Sequence, residues 1–419
     1  MGVGHWVGLV VTALGAVGSM GAEGTTVDVA SPTASVARHA ATPEQHDLLL
    51  RMAKGDLQVD RLKRCLDYPD PPGLHWQRAT DVGFCHNQFD TFITLKDVRA
   101  ELDRHAVGEL DRQFAKLAQE QRHDVTRSRL DDTLFRAFGC ACKDARNAAD
   151  AWLVQSPKSP WARAASGIQY SAEASAARGT EFFQKTPPER ILRMEELDKK
   201  AVADLDQALA LVPDLTAASS ELIAIDRTEG RTDEAHNRMI EALRRAPASL
   251  TLHMQAVPLA EPKWGGTPGE LQAARRRMLD ASVDNPMLLQ TVTYLDWQAQ
   301  ECDDCKWDMR NYQPMLDMAP SLAVLRKAGI YEVEHHDFAM GAIYLSEVLR
   351  FSPTTEVRAR TDRGFARAEL GDLDGAQNDA ETALLDKADF QPAMQLLRLL
   401  TAKRAEADAV ARRANEKHG

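Results

Sequence analysis

Residues 213–247 read PDLTAASSELIAIDRTEGRTDEAHNRMIEALRRAP, a stretch bounded by two prolines with Gly230 at its middle. Proline stops a helix and glycine takes the left-handed turn conformation, so the stretch reads as helix, turn, helix, stop. The same ruler extends outward. Prolines fall at Pro213, Pro247, Pro286, Pro320 and Pro353, with gaps of 34, 39, 34 and 33 residues. At 17, 12, 8 and 5 residues before Pro247 stand Gly230, Ala235, Met239 and Ala242. At the same offsets before Pro286 stand Gly269, Ala274, Met278 and Ala281, and before Pro353 stand His336, Gly341, Leu345 and Val348. The last period reads Gly371, Ala376, Ala380, Ala383 and ends on Ala388. Small residues at these spacings let two helices cross closely, and the 3.6-residue period gathers the larger apolar residues on one face.

A period near 34 with these turn and crossing positions resembles the tetratricopeptide repeat. The expected fold is all-α: a right-handed α-solenoid of tetratricopeptide-like helix pairs with a small helical N-terminal cap. Turns are expected near Gly230, Gly269, Asp303, His336 and Gly371. The expected division is a signal peptide over 1–22, a flexible leader over 23–42 and a helical cap region over 43–124. The solenoid then spans 125–388, and a capping helix with a polar tail fills 389–419. Pro258 to Gly269 (PLAEPKWGGTPG) interrupts the first helix of one period and accounts for the 39-residue gap. From Leu95 to Gly139 two helices are expected, the first running through Leu102, Leu110, Phe114 and Leu117. Cys140 holds the same turn phase as Gly230.

From Trp6 to Gly18 the chain reads WVGLVVTALGAVG, apolar and uncharged, followed by small residues up to Ala22. Thirteen residues suit the core of a secretory signal and are too few to span a bilayer. No Lys or Arg precedes this run. Export to the periplasm or outside the cell, with cleavage near Ala22, is the expectation; a short N-terminal membrane anchor and a cytosolic chain are the alternatives. The formal net charge of -11 argues against nucleic acid as a partner, because neutralising phosphates takes a basic surface.

A second resemblance rests on Trp152-Leu153 with Pro157-Lys-Ser159, on Ala165 to Gly179, on Asp204 to Leu209, and on Pro262-Lys-Trp-Gly-Gly266. Together they are similar to an uncharacterised bacterial family carrying a P-x-W-G-G-S segment among tetratricopeptide-like helices. Thr267 stands in place of the serine, and an alanine, Ala174 or Ala176, stands where a tryptophan is frequent. The resemblance covers a little under half of the chain. It implies the fold and adds no activity.

Candidate chemistry is sparse. A redox pair at Cys302 and Cys305 would need a helix N-terminus beside a strand, and Asp303 and Asp304 would raise the thiol pKa values. A zinc site joining Cys140 and Cys142 to Cys302 and Cys305 would bridge turns several repeats apart. Glu332 and His336 share a helix face but lack a third ligand, with His335 adjacent. The two glycines at 265–266 lack the Lys-Ser/Thr ending of a phosphate loop. No metal, cofactor or catalytic set is therefore expected. The first-helix positions that face the concave side of a tetratricopeptide array include Arg227, Arg326, Glu334, Arg358, Thr361 and Glu369. Arg326 and Arg358 hold such positions in successive repeats and could clamp a carboxylate. Trp264 could edge a ligand pocket.

The function that follows is a non-enzymatic exported scaffold binding a protein or peptide in its concave groove. The alternatives are an immunity or inhibitor-type protein that masks a toxin, or an enzyme or small-ligand binder built on the Trp264 loop. In an oxidising compartment Cys302 and Cys305 should form a disulfide, and Cys65 can pair with Cys85. The loop between Cys302 and Cys305 is short, so the bridge should stabilise by only about 1–2 kcal/mol. Cys302→Ser with Cys305→Ser should lower the Tm slightly. Thiol titration of unfolded, unreduced protein from the cell envelope checks the bridge, and two reactive thiols at these positions would reject it.

Overall fold

The computed structural model describes residues 41–181, 185–264, 266–300, 308–352 and 356–416. Every regular element among them is helical, and no strand occurs among them. The first seven helices are α1 (Pro43–Asp56), α2 (Arg61–Asp67), α3 (Arg78–Phe89), α4 (Leu95–Asp103), α5 (Val107–His123), α6 (Arg129–Phe138) and α7 (Lys143–Gln155). Next come α8 (Pro160–Arg178), α9 (Pro188–Leu211), α10 (Thr216–Thr228), α11 (Thr232–Arg245), α12 (Leu250–Leu259), α13 (Pro268–Ala281) and α14 (Leu288–Gln300). The last are α15 (Met309–Met318), α16 (Leu322–Glu334), α17 (Phe338–Phe351), α18 (Val357–Leu370), α19 (Leu373–Asp386) and α20 (Gln391–Glu416). The run over 6–18 expected to be a signal, the stretch up to residue 40 expected to be a leader, and Cys302, Asp303 and Cys305 lie outside the described residues.

The turn positions follow the ruler. Gly230 between α10 and α11 has φ 76°, and Gly371 between α18 and α19 has φ 88°. His336, in the same phase between α16 and α17, adopts φ 65° despite its side chain, a conformation that costs about 1–2 kcal/mol outside glycine. The period with the long gap departs from expectation. Its turn lies between α12 and α13 and holds a 3-10 turn at Pro262–Trp264, and Gly269 lies within the first turn of α13. Thr267 caps that helix: its Oγ1 accepts from Glu270 N at 3.2 Å, and Glu270 Oε2 accepts from Thr267 N at 2.6 Å. With Glu270 at the third helical position this is a reciprocal capping box, which satisfies two backbone donors at the start of α13.

The chain divides into two compact units, one of residues 90–292 and one of residues 41–89 with 293–416. In the first unit Trp152 is fully buried, with its ring 4.9 Å from Phe114. Its Nε1 donates to Asp111 Oδ1 at 2.9 Å, and the same carboxylate accepts from Ser156 Oγ at 2.7 Å and Ser159 Oγ at 2.6 Å. The Trp152 to Ser159 segment is thus tied to α5 through one acid. Cys140 and Cys142 are disulfide-bonded in the α6–α7 turn.

In the second unit α1 to α3 pack on the C-terminal helices. Cys65 and Cys85 form a disulfide that ties α2 to α3. Trp76 Nε1 donates to Leu316 O at 2.6 Å, and the Phe84 ring lies 4.8 Å from Phe351. Arg350 on α17 donates to Cys65 O at 2.8 Å and Asp70 Oδ1 at 2.6 Å. Beside it, Arg363 on α18 grips Asp379 on α19 through Nε at 2.9 Å and Nη2 at 2.6 Å. Asp56 at the end of α1 accepts from Arg363 Nη1 at 2.8 Å and Arg367 Nη2 at 3.1 Å.

Residues 43–89 group with 293–416, and 90–124 group with 125–292. Two expectations about local structure need correction. The helix expected through Leu102 and Leu117 is two, α4 and α5, broken where His105 turns left-handed at φ 56°. The polar C-terminus continues α20 to Glu416 instead of ending as a tail, because its alanines, arginines and glutamates all favour helix.

Asp379 is fully buried among three arginines, Arg360, Arg363 and Arg367, so its loss would leave uncompensated cations in the core. Asp379→Ala should destabilise the protein by roughly 3–5 kcal/mol in urea denaturation. A loss no larger than that of an exposed aspartate such as Asp374 would contradict this account.

Candidate functional site

The helix pair α8 and α9 is longer than the pair that follows it. The two helices have 19 and 24 residues, against 13 and 14 in α10 and α11. They cross closely at Gly167, where an added Cβ would stand 2.5 Å from Leu205 Cγ. At the far end Arg190 Nε donates to Ala177 O at 2.8 Å and holds the two helices together beside Gly179. The first turns of α9 therefore run past the α10–α11 turn and leave a ledge. Between this ledge and the turn opens a cavity of about 710 Å3.

One wall is a single stripe of α9: Ile191, Met194, Glu195, Asp198, Lys199 and Val202. Their spacings of three and four residues place them on one helix face. The opposite wall includes Asp226, Arg231, Glu234, Asn237 and Arg238. Two of its cations are committed. Buried Asp226 accepts from Arg231 Nε at 2.9 Å and from Arg238 Nε at 2.8 Å, and Arg231 also pairs with Glu229. Asp198 is different. It is 3% exposed, lines the cavity, and makes no hydrogen bond or ion pair within the described residues. Burial pushes its carboxyl up to about 7, the charges of Glu221 and Glu195 add to the rise, and Arg231 opposes it. Burial likewise raises Glu221 to about 7, although Ser171 Oγ donates to it at 2.7 Å.

The residues expected to bind a partner fall in both units. Arg227 lies over the Trp264 ring, 4.5 Å from its centroid, and burial brings its pKa down to about 10 against the pull of Glu261 and Glu221. Trp264 is thus covered by a cation of its own chain and lines neither this cavity nor a smaller one beside Gln121. Arg326 donates to Glu356 at 2.8 Å and Arg358 to Asp362 at 2.9 Å, so each of the two proposed clamps already holds a carboxylate. Thr361 is fully buried with its hydroxyl donating to Val357 O at 2.8 Å, which takes it off any accessible face. Glu369 pairs with Lys403 at 3.0 Å, and Glu334 is exposed. His335 bonds the Tyr331 carbonyl at 2.8 Å, and among the described residues no three of His, Cys, Asp and Glu gather as a metal site.

Sequence reading passed over Asp198, Glu195 and Glu234. A signal was present for the first: Asp198 interrupts the apolar stripe through Met194, Leu197, Ala201 and Leu205, where a buried residue is expected.

No family model matches the chain, and no curated protein sequence matches it. Among solved structures, the Cut9–Hcn1 hetero-tetramer of APC/C is similar over 85% of this chain and 68% of that one, at 12% identity and a TM-score of 0.33. The human IFIT1 dimer with PPP-AAAA is similar over 84% of this chain and 96% of that one, at 13% identity and a TM-score of 0.27. A monomeric IFIT1 mutant with Gppp-AAAA covers 86% and 99%, at 11% and 0.31. At these identities and scores the likenesses carry no argument about what this chain binds, and the expected exclusion of nucleic acid draws no support from them. The assignment to tetratricopeptide-like helix pairs rests on the turns and crossings themselves.

Asp198 and Glu221 hold a proton to higher pH in the fold than in the unfolded chain. Their contribution to stability is therefore full below about pH 4 and is lost as pH rises through about 7. Asp198→Asn removes one of these groups. Its stability relative to wild type should rise by roughly 1–3 kcal/mol between about pH 5 and about pH 8, read by chemical denaturation at each pH. A difference that stays flat with pH would show that Asp198 titrates normally.

Proposed function

We propose that this chain is a non-enzymatic, exported helical scaffold that holds a segment of a protein partner. The observation that carries the proposal is the cavity at the α9 ledge, which is large, open to the surface, and walled by one face of α9 and the start of α11. Helix-pair arrays bind through such exposed faces, with specificity set by side chains. Asp198, Glu195 and Glu234 make no ion pair there within the described residues, the lining carries five acids against three basic residues, and the chain's net charge is -11, so a phosphate-bearing partner is disfavoured. A protein segment meets no such barrier.

Export belongs to the same reading. Two disulfides, Cys65–Cys85 and Cys140–Cys142, suit an oxidising compartment, as does the apolar run over 6–18. The thiol titration described for Cys302 and Cys305 tests it. The likeness to the bacterial family with the P-x-W-G-G segment fits a structural role for that loop, since Thr267 caps α13 and Trp264 packs under Arg227.

A photo-cross-linking benzoylphenylalanine placed at Asn237, inside the cavity, should yield one discrete adduct in living cells. The same group at Val154, 82% exposed and outside the cavity, should not. No adduct at Asn237, or equal adducts at both positions, would overturn the proposed contact.

A further inference from the structure

We infer that the Asp198 end of this cavity takes the ammonium group of a lysine side chain supplied by the protein partner, an inference that rests on the scaffold function proposed above. Four observations converge. Asp198 is 3% exposed and lines the cavity without a hydrogen bond or ion pair of its own. An acid so buried is ordinarily paired, and a carboxylate left alone at a cavity wall marks a place for an external donor. The nearby arginines do not serve, since Arg231 and Arg238 both point to Asp226. Lys199 also lines the cavity, four residues after Glu195, but it makes no hydrogen bond or ion pair with Asp198 within the described residues.

The remaining lining fits a long cationic chain. Ile191, Met194 and Val202 flank Asp198 on the same stripe and would cover the four-carbon stem of lysine. Glu195 on that stripe and Glu234 across the cavity make no ion pair within the described residues, and they extend the negative field towards the mouth. A compact ammonium on a flexible stem reaches a recessed single carboxylate more readily than a planar guanidinium does.

The test uses the full chain and a labelled peptide of four lysines spaced by glycine and serine, with fluorescence anisotropy as the readout. Wild-type protein should bind it. Asp198→Asn should bind at least about 10-fold more weakly, the scale of one charge-assisted hydrogen bond. The same peptide with every lysine acetylated should lose a similar factor. Glu196→Gln removes an equal charge from an exposed position outside the cavity and should bind like wild type. The site is overturned if wild type ignores the lysine peptide, if Asp198→Asn binds it as well as wild type does, or if the acetylated peptide binds equally. Spermine binding more tightly than the peptide, with the same dependence on Asp198, would replace the partner's lysine by a free polyamine. Repeating the Asn237 cross-link in the Asp198→Asn background separates the two readings. An undiminished adduct there sinks the lysine site and leaves the scaffold standing, whereas no adduct in wild type sinks the scaffold.

Discussion

Close approach of helix backbones is the constraint on which the fold depends, and it is met by leaving out side chains. At Gly167 an added Cβ would lie 2.5 Å from Leu205 Cγ, and at Gly364 it would lie 2.5 Å from Leu396 Cδ2. Real Cβ atoms do not tolerate such distances, so a side chain at Gly167 would have to displace Leu205 against the Ala201 carbonyl 3.0 Å away, and one at Gly364 would have to move Leu396. Ala235, Ala274, Ala376 and Ala380 meet the same constraint with a single methyl and are fully buried. With crossings this tight, two helices form a flat hairpin whose broad faces are free to stack on the next pair. The turns at Gly230, His336 and Gly371 then need only reverse the chain in about three residues, which a left-handed residue accomplishes.

That economy is why the fold could be read from the chain. Small residues, left-handed turns and helix-stopping prolines are local requirements, and each leaves a mark at a fixed spacing. His336 shows how far spacing outranks residue type, since it was placed in the turn by phase alone and has a positive φ there. The misreadings came from features without a local mark. The break at His105 has no glycine or proline beside it, so its apolar pattern runs straight through. The segment between α12 and α13 displaced the turn from Gly269 because the insertion changes the phase for one period only. The grouping of 41–89 with 293–416 depends on Arg350, Arg363 and Arg367 reaching Asp70 and Asp56, pairs separated by some 280 to 311 positions. Nothing local distinguishes those arginines from solvated ones.

The candidate site was less legible for a related reason. Phase arguments select residues by position on a helix and say nothing about their partners. Arg326 and Arg358 stand at the positions that face a groove in such arrays, yet each is already matched by an acid, Glu356 or Asp362. Thr361 stands at another such position and is fully buried. What distinguishes a binding group is a partner it lacks, and a lack can be seen only once the neighbours are known. Asp198 differs from Asp226, Asp111 and Asp379 in this respect. All four are acids on helix faces, and three of them hold two or more donors.

The same contrast explains why the cavity lies where it does. In a regular array the stripe Ile191, Met194, Asp198 and Val202 would be covered by the next helix of its layer, and an acid in its middle would be selected against or paired. Here the long α9 faces only the first turns of α11, through Glu234, Asn237 and Arg238, and a recess remains between them. Burial still raises the Asp198 carboxyl to about 7, so keeping an unpaired acid there costs stability as pH rises. Isosteric asparagine would avoid that cost with almost no change of shape. A residue that weakens the fold, sits in a recess and lacks any internal partner is most simply understood through what enters the recess from outside.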